Sequence, residues 1–104
     1  MNFEKCVLYR VAFAAPDEVR SLLAFCLVKF AVHEEKKTLL IKAPDPFVAY
    51  KINSSMAKEM GIKVNNLGID RYSIDNSRGS LSLYEFDGSS FVFSGYSSLQ
   101  KLKL

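Results

Sequence analysis

The sequence has no tryptophan, one histidine, two cysteines, three prolines and five glycines in 104 residues. The scarcity of histidine, cysteine and glycine each removes a class of function. With His33 as the only imidazole, a hydrolytic triad would have to be assembled around a residue that sits among the charges of "HEEKKT". Nothing local would orient that ring or shift its pKa. Cys6 and Cys26 share no zinc-ligand spacing with each other or with His33, and the carboxylates form no EF-hand pattern. We therefore expect no metal and no cofactor. The five glycines are scattered singly, so no phosphate-cradling loop opens a helix. An enzyme is not expected.

Long hydrophobic runs are also missing. Glu4 and Arg10 interrupt the first thirteen residues, which leaves no signal-peptide core, and no stretch of about 18 apolar residues could span a bilayer. The expectation is a cytoplasmic protein without a membrane partner, with both cysteines buried as reduced thiols. Charge of either sign is modest. Fourteen Lys and Arg against eleven Asp and Glu give +3, dispersed from Lys5 to Lys103, too little to demand a polyanion.

What the chain does have is apolar material, 49% of its residues including eight Phe and five Tyr. That suffices for one core at this length, and residues 1–104 read as a single domain with no repeat or linker. Phe3, Val7, Tyr9, Val11 and Phe13 alternate, with Cys6, Leu8 and Ala12 between them, and predict a central strand. Pro16, Asp17 and Glu18 then open a helix to about Cys26, carried by Val19, Leu22, Leu23 and Cys26. Val28, Phe30 and Val32 before the charged tip, with Leu39 and Ile41 after it, predict a hairpin; one longer helix from Pro16 to Lys37 is the rival.

Asp45-Pro46 is an N-cap followed by proline at the first helical position. Ala49, Ile52, Met56 and Met60 continue that helix to Gly61, which would cap it in the left-handed region. The last third is strand-and-turn composition. Asp87-Gly88 between "SLSLYEF" and "SSFVFSGY" suggests a type I′ hairpin, and Asn76-Ser77-Arg78-Gly79 an earlier turn. The expected fold is a small α+β two-layer sandwich in β-α-β-β-α-β-β order. That is a ferredoxin-like pattern with an added C-terminal β-hairpin, its sheet mostly antiparallel.

Two functional readings follow. The leading one is a non-enzymatic protein-binding module, an inhibitor, adaptor or subunit acting by surface complementarity. Both faces of the C-terminal hairpin are apolar, with Tyr84 and Phe86 opposite Leu81 and Leu83, and Phe91 and Phe93 opposite Val92 and Tyr96. A terminal hairpin normally wets one face, so another protein, or a second copy in a homo-oligomer, would cover Tyr84, Phe86, Phe91, Phe93 and Tyr96. The alternative is nucleic-acid binding through a degenerate helix-turn-helix around Ser54–Asp70. There Lys58, Lys63, Asn65, Asn66 and Arg71 would meet phosphates and base edges. Gly68 and Asp70 argue against its second helix, since glycine costs about 1 kcal/mol relative to alanine in a helix interior.

Overall fold

The structure is a computed structural model and describes residues 3–33, 35–75 and 80–98. The expected turn at Asn76–Gly79, the hairpin-tip residue Glu34 and the end "LQKLKL" lie outside them. Among the described residues four helices and a five-stranded sheet make a compact α+β sandwich. Helices α1 (Phe3–Ala14) and α2 (Asp17–Leu23) lead into strands β1 (Leu27–His33) and β2 (Lys36–Lys42). Helices α3 (Pro46–Met56) and α4 (Glu59–Asn66) follow, then β3 (Arg71–Asp75), β4 (Ser80–Phe86) and β5 (Phe91–Ser98).

The strands lie in the order β1-β2-β3-β4-β5, and only the β2–β3 pair is parallel. The two-layer class, the mostly antiparallel sheet and the C-terminal hairpin are as the sequence suggests. The expected order is corrected at its start, where a helix replaces the first strand. The strands follow one another across the sheet in chain order.

That first helix is a lesson in ambiguous spacing. Val7 and Val11 are four residues apart, a spacing that satisfies both a strand face and a helix stripe. Both are buried, and Ala15 continues their row beyond the helix end, whereas Tyr9 and Phe13 are exposed. Helix period therefore describes the burial, and Glu, Lys, Leu, Arg and Ala among the intervening residues favour it. Helix α1 has no basic residue in its own last turn; Arg20 of α2 supplies one. Its guanidinium donates to the carbonyls of Ala12 at 2.9 Å and Ala15 at 3.1 Å, pairs with Asp17 at 3.3 Å and lies over the Phe13 ring. The orphan carbonyls of one helix are thereby satisfied by the next.

The β1–β2 hairpin replaces the rival long helix, with Glu35 at φ 64° in its two-residue connection. Asp45 caps α3 as expected, accepting from the Val48 amide at 2.9 Å with Pro46 behind it. The end of that helix is a correction. Helix α3 stops at Met56, Lys58 swings to φ −119°, ψ −153°, and α4 starts anew at Glu59. Gly61 is inside α4, not a left-handed cap. The residue that ends α4 is Gly68, at φ +94°, whose amide bonds to the Asn65 carbonyl at 2.8 Å.

One face of the sheet meets the helices. Leu39, Ile41, Tyr72, Ile74 and Phe91 pack there against Val7, Val11, Val19, Val48, Ile52, Met56, Met60 and Val64. The opposite face carries a smaller cluster, Leu40 and Leu81 with Ala31 and Leu83, beside buried Thr38, Arg71, Ser73 and Asp75. Cys6 is exposed and Cys26 half-buried, neither in a disulfide, which corrects the expectation that both are buried.

The sharp α3–α4 junction depends on a missing side chain. A Cβ at Gly61 would sit 2.0 Å from the Met56 carbonyl oxygen and 3.3 Å from the Phe91 ring. By helix propensity alone, Gly61→Ala should stabilise by about 1 kcal/mol. The close approach reverses the sign, and we expect a net loss of about 2 kcal/mol from forced overpacking, read as a lowered denaturant midpoint at unchanged m-value.

Candidate functional site

The sequence-proposed aromatic residues come together in a ladder rather than on two faces. Tyr84 stacks on Tyr72 with centroids 4.7 Å apart and planes 4° apart. Phe91 meets Tyr72 edge-on at 5.0 Å and Phe86 at 5.2 Å. Outward from this pair, Phe93 approaches Tyr84 at 5.7 Å, and Tyr96 approaches Phe93 at 5.1 Å. Tyr72 is fully buried, Phe91 is buried, Tyr84 and Phe86 are intermediate, and Phe93 and Tyr96 are 51% and 72% exposed. The ladder thus runs from the core to the edge of the sheet.

Its outer end exists because of an irregularity. Period two would place Tyr96 beside Val92, on the face away from Phe93. The register instead shifts between Leu83 and Tyr84: Tyr84 faces Phe93, Leu83 faces Gly95, and Ser94 is the extra residue. This bulge, with Gly95 at φ +138°, returns Tyr96 to the side of Phe93. The bend at the other end of the hairpin also departs from expectation. Asp87 is not in the left-handed region, so the turn is not type I′. The four-residue loop Asp87–Ser90 is held by the Asp87 carboxylate, which accepts from the Ser89 amide at 2.8 Å, the Ser90 amide at 2.9 Å and the Ser89 hydroxyl at 3.0 Å. Those bonds, that of the Ser90 amide first, hold its carboxyl below the ordinary value.

The inner end of the ladder is Tyr72, which is not among the residues the sequence suggests for the site. Alternation of Tyr72 and Ile74 in "RYSID" carried the signal that its ring shares the helix-facing side. Its hydroxyl donates to the Asn53 side-chain oxygen at 2.9 Å, tying β3 to α3. Burial, then the neighbouring Tyr84, pushes the Tyr72 phenol well above its ordinary value; burial and then Tyr96 push Tyr84 up.

The residues of the nucleic-acid reading are dispersed. Helices α3 and α4 do form a two-helix corner, α4 ending at Asn66 before Gly68 and Asp70. Arg71, however, is 4% exposed, and its Nε donates to the Thr38 hydroxyl at 3.1 Å. Asn65 donates to the Ile69 carbonyl at 3.0 Å, and Lys63 pairs with Glu59 at 3.4 Å. Lys58 and Asn66 are exposed.

Among the described residues, reactive groups are not gathered elsewhere. An open apolar groove of about 410 Å³ runs between α1, α2 and β1, lined by Leu8, Ala12, Leu23 and Val28 with Arg20 and Cys26. Burial, then Asp45, pushes the Cys26 thiol up, away from a thiolate nucleophile. Among the described residues no three His, Cys, Asp or Glu side chains could share a metal, and no helix is long and apolar enough to cross a membrane. The His33 side chain is not among those described. Comparison of the chain with protein-family models, with curated proteins and with solved structures finds no match.

The raised phenols make an alkaline prediction. In the unfolded chain Tyr72 and Tyr84 ionise near the ordinary tyrosine value of about 10, while the fold resists their ionisation. Stability is therefore complete below that pH and declines as pH rises above it. Tyr72→Phe should lose about 1 kcal/mol at neutral pH with its bond to Asn53. Its decline above pH about 10 should be shallower than that of the unmodified chain in paired urea titrations.

Proposed function

We propose that the protein is a non-enzymatic binding module that docks another protein on edge strand β5. The observation that carries this is the pair Phe93–Tyr96, exposed at the outer end of a ladder whose inner rings are fixed in the core. Aromatic side chains with few torsions, already held by neighbours, lose little conformational entropy when a partner covers them. Strand β5 is terminal in the sheet order, and among the described residues no strand pairs with its outer side. A partner strand added there would gain main-chain hydrogen bonds while Phe93 and Tyr96 supplied contact on one side and Val92, 43% exposed, on the other. An inhibitor, adaptor or subunit role fits such a surface, within the cell.

The choice of test residue follows from burial. Phe91 supports Tyr72 and Gly61, so its replacement would disturb the fold. Phe93→Asp and Tyr96→Asp probe the surface alone. Affinity capture from native lysate with the unmodified chain should retain a stoichiometric protein that both variants lose while keeping an unchanged melting temperature. If the variants retain the same protein, the β5 reading is wrong.

The α3–α4 corner keeps nucleic-acid binding as a second reading, now supported by Lys58, Lys63 and Asn66. Three such side chains, one of them paired with Glu59, provide little phosphate neutralisation. We expect no retardation of duplex DNA at low salt with micromolar protein; a shift lost on adding salt and weakened by Lys63→Glu would favour this second reading.

A further inference from the structure

We infer that the partner seated on β5 is a second copy of this chain, paired antiparallel with its own β5 about a two-fold axis. The inference rests on the reading of β5 as a docking edge and adds the identity of the occupant. It comes from comparing the two edges of the same sheet. Strand β1, at one end, carries the exposed Lys29 at its centre, the usual guard that keeps a strand edge from pairing with another chain. Strand β5, at the other end, reads FVFSGYSS and holds no charged side chain in eight residues.

That absence discriminates between occupants. In a two-fold interface the same patch is used twice, so a charge near the axis meets its own copy and repels it. An uncharged strand is free of that penalty. Selection of a different chain ordinarily uses complementary charge across the interface to steer and to reject wrong partners. Along β5 there is none to use. The acids of the hairpin lie off β5: Glu85 faces Val92 across β4–β5 and is already paired with Lys36 of β2, and the Asp87 carboxylate is held by Ser89 and Ser90 in the loop. Apolar groups also stand on both sides of the edge, Phe93 and Tyr96 towards the helices and Val92 away from them. Two-fold pairing would bring both sets into contact with their copies.

The bulge at Ser94–Gly95 interrupts the ladder, so the contact is small, and association depends on concentration rather than being permanent. Bulges that remain on an edge also twist it, which confines regular pairing to the residues on either side.

Sedimentation velocity of the full chain over a rising concentration series should show conversion from monomer to dimer mass. Tyr96→Lys and Val92→Lys should remain monomeric at concentrations where the unmodified chain is dimeric, with unchanged circular dichroism and melting temperature. Tyr96 is 72% exposed, so its variant keeps the test valid if Val92→Lys disturbs the fold. Val32→Lys on β1 should leave the dimer intact. Amide exchange along β5, and not along β1 or α1, should slow as concentration rises.

A monomer at every soluble concentration overturns the inference, as does a dimer whose protected amides lie on β1 or α1. If the chain stays monomeric yet captures a different protein that Tyr96→Asp loses, self-pairing falls and the docking edge stands. If capture is also indifferent to Tyr96→Asp and Phe93→Asp, both fall.

Discussion

The stacked pair Tyr72–Tyr84 is the contact through which the rest of the molecule is tied together. Tyr72 lies on β3, where the crossover from β2 returns to the sheet, and its hydroxyl reaches Asn53 on the crossover helix α3. Its ring supports Tyr84 on β4 and Phe91 on β5. Phe91 in turn fills the space beside Gly61, where the α3–α4 corner is tightest. Each of these neighbours is positioned by a ring that is itself 1% exposed and hydrogen-bonded, so few alternative arrangements fit a close-packed core. The outermost rings, Phe93 and Tyr96, inherit that rigidity although they face solvent.

How much of this the sequence discloses depends on whether a spacing belongs to one periodicity or to two. Asp45-Pro46 has one meaning and gave the start of α3 directly. The clusters on either side of "HEEKKT" and the run from Arg71 to Tyr96 gave strands, and with them the α+β class and most of the aromatic site. Val7 and Val11 have two meanings, and together with the apolar Tyr9 and Phe13 between and after them they suggest a strand. Only the exposure of Tyr9 and Phe13 shows that these two are not core. The sequence suggests Gly61 as a left-handed cap and Gly68 only as an obstacle to a second helix, whereas Gly61 is needed for its lack of volume and Gly68 has the positive φ; the sequence does not say which property a glycine supplies.

The site shows the same limit. All five aromatic residues proposed for the surface lie in one connected ladder, yet their partition by face was lost at Ser94, because a single unpaired residue reverses the alternation beyond it. Arg71 illustrates a different loss. Its charge suggests solvent and phosphate, but its position on β3 faces a second, smaller cluster where Thr38 receives its guanidinium. Long-range pairing, 33 residues apart, decides that burial, and no local pattern encodes it.

The single parallel pair in the sheet has a kinetic meaning. Strands β1 and β2 form one antiparallel hairpin, and β3, β4 and β5 a meander, each joined by short connections whose closure costs little entropy. The seam between the two units, from Thr38↔Arg71 to Lys42↔Asp75, is only five pairs long and must wait for α3 and α4 to bring its ends together. The largest ordering cost of the sheet therefore falls on a five-pair ladder, as short as any in the sheet, whose strands are joined through the two helices of the Gly61 corner.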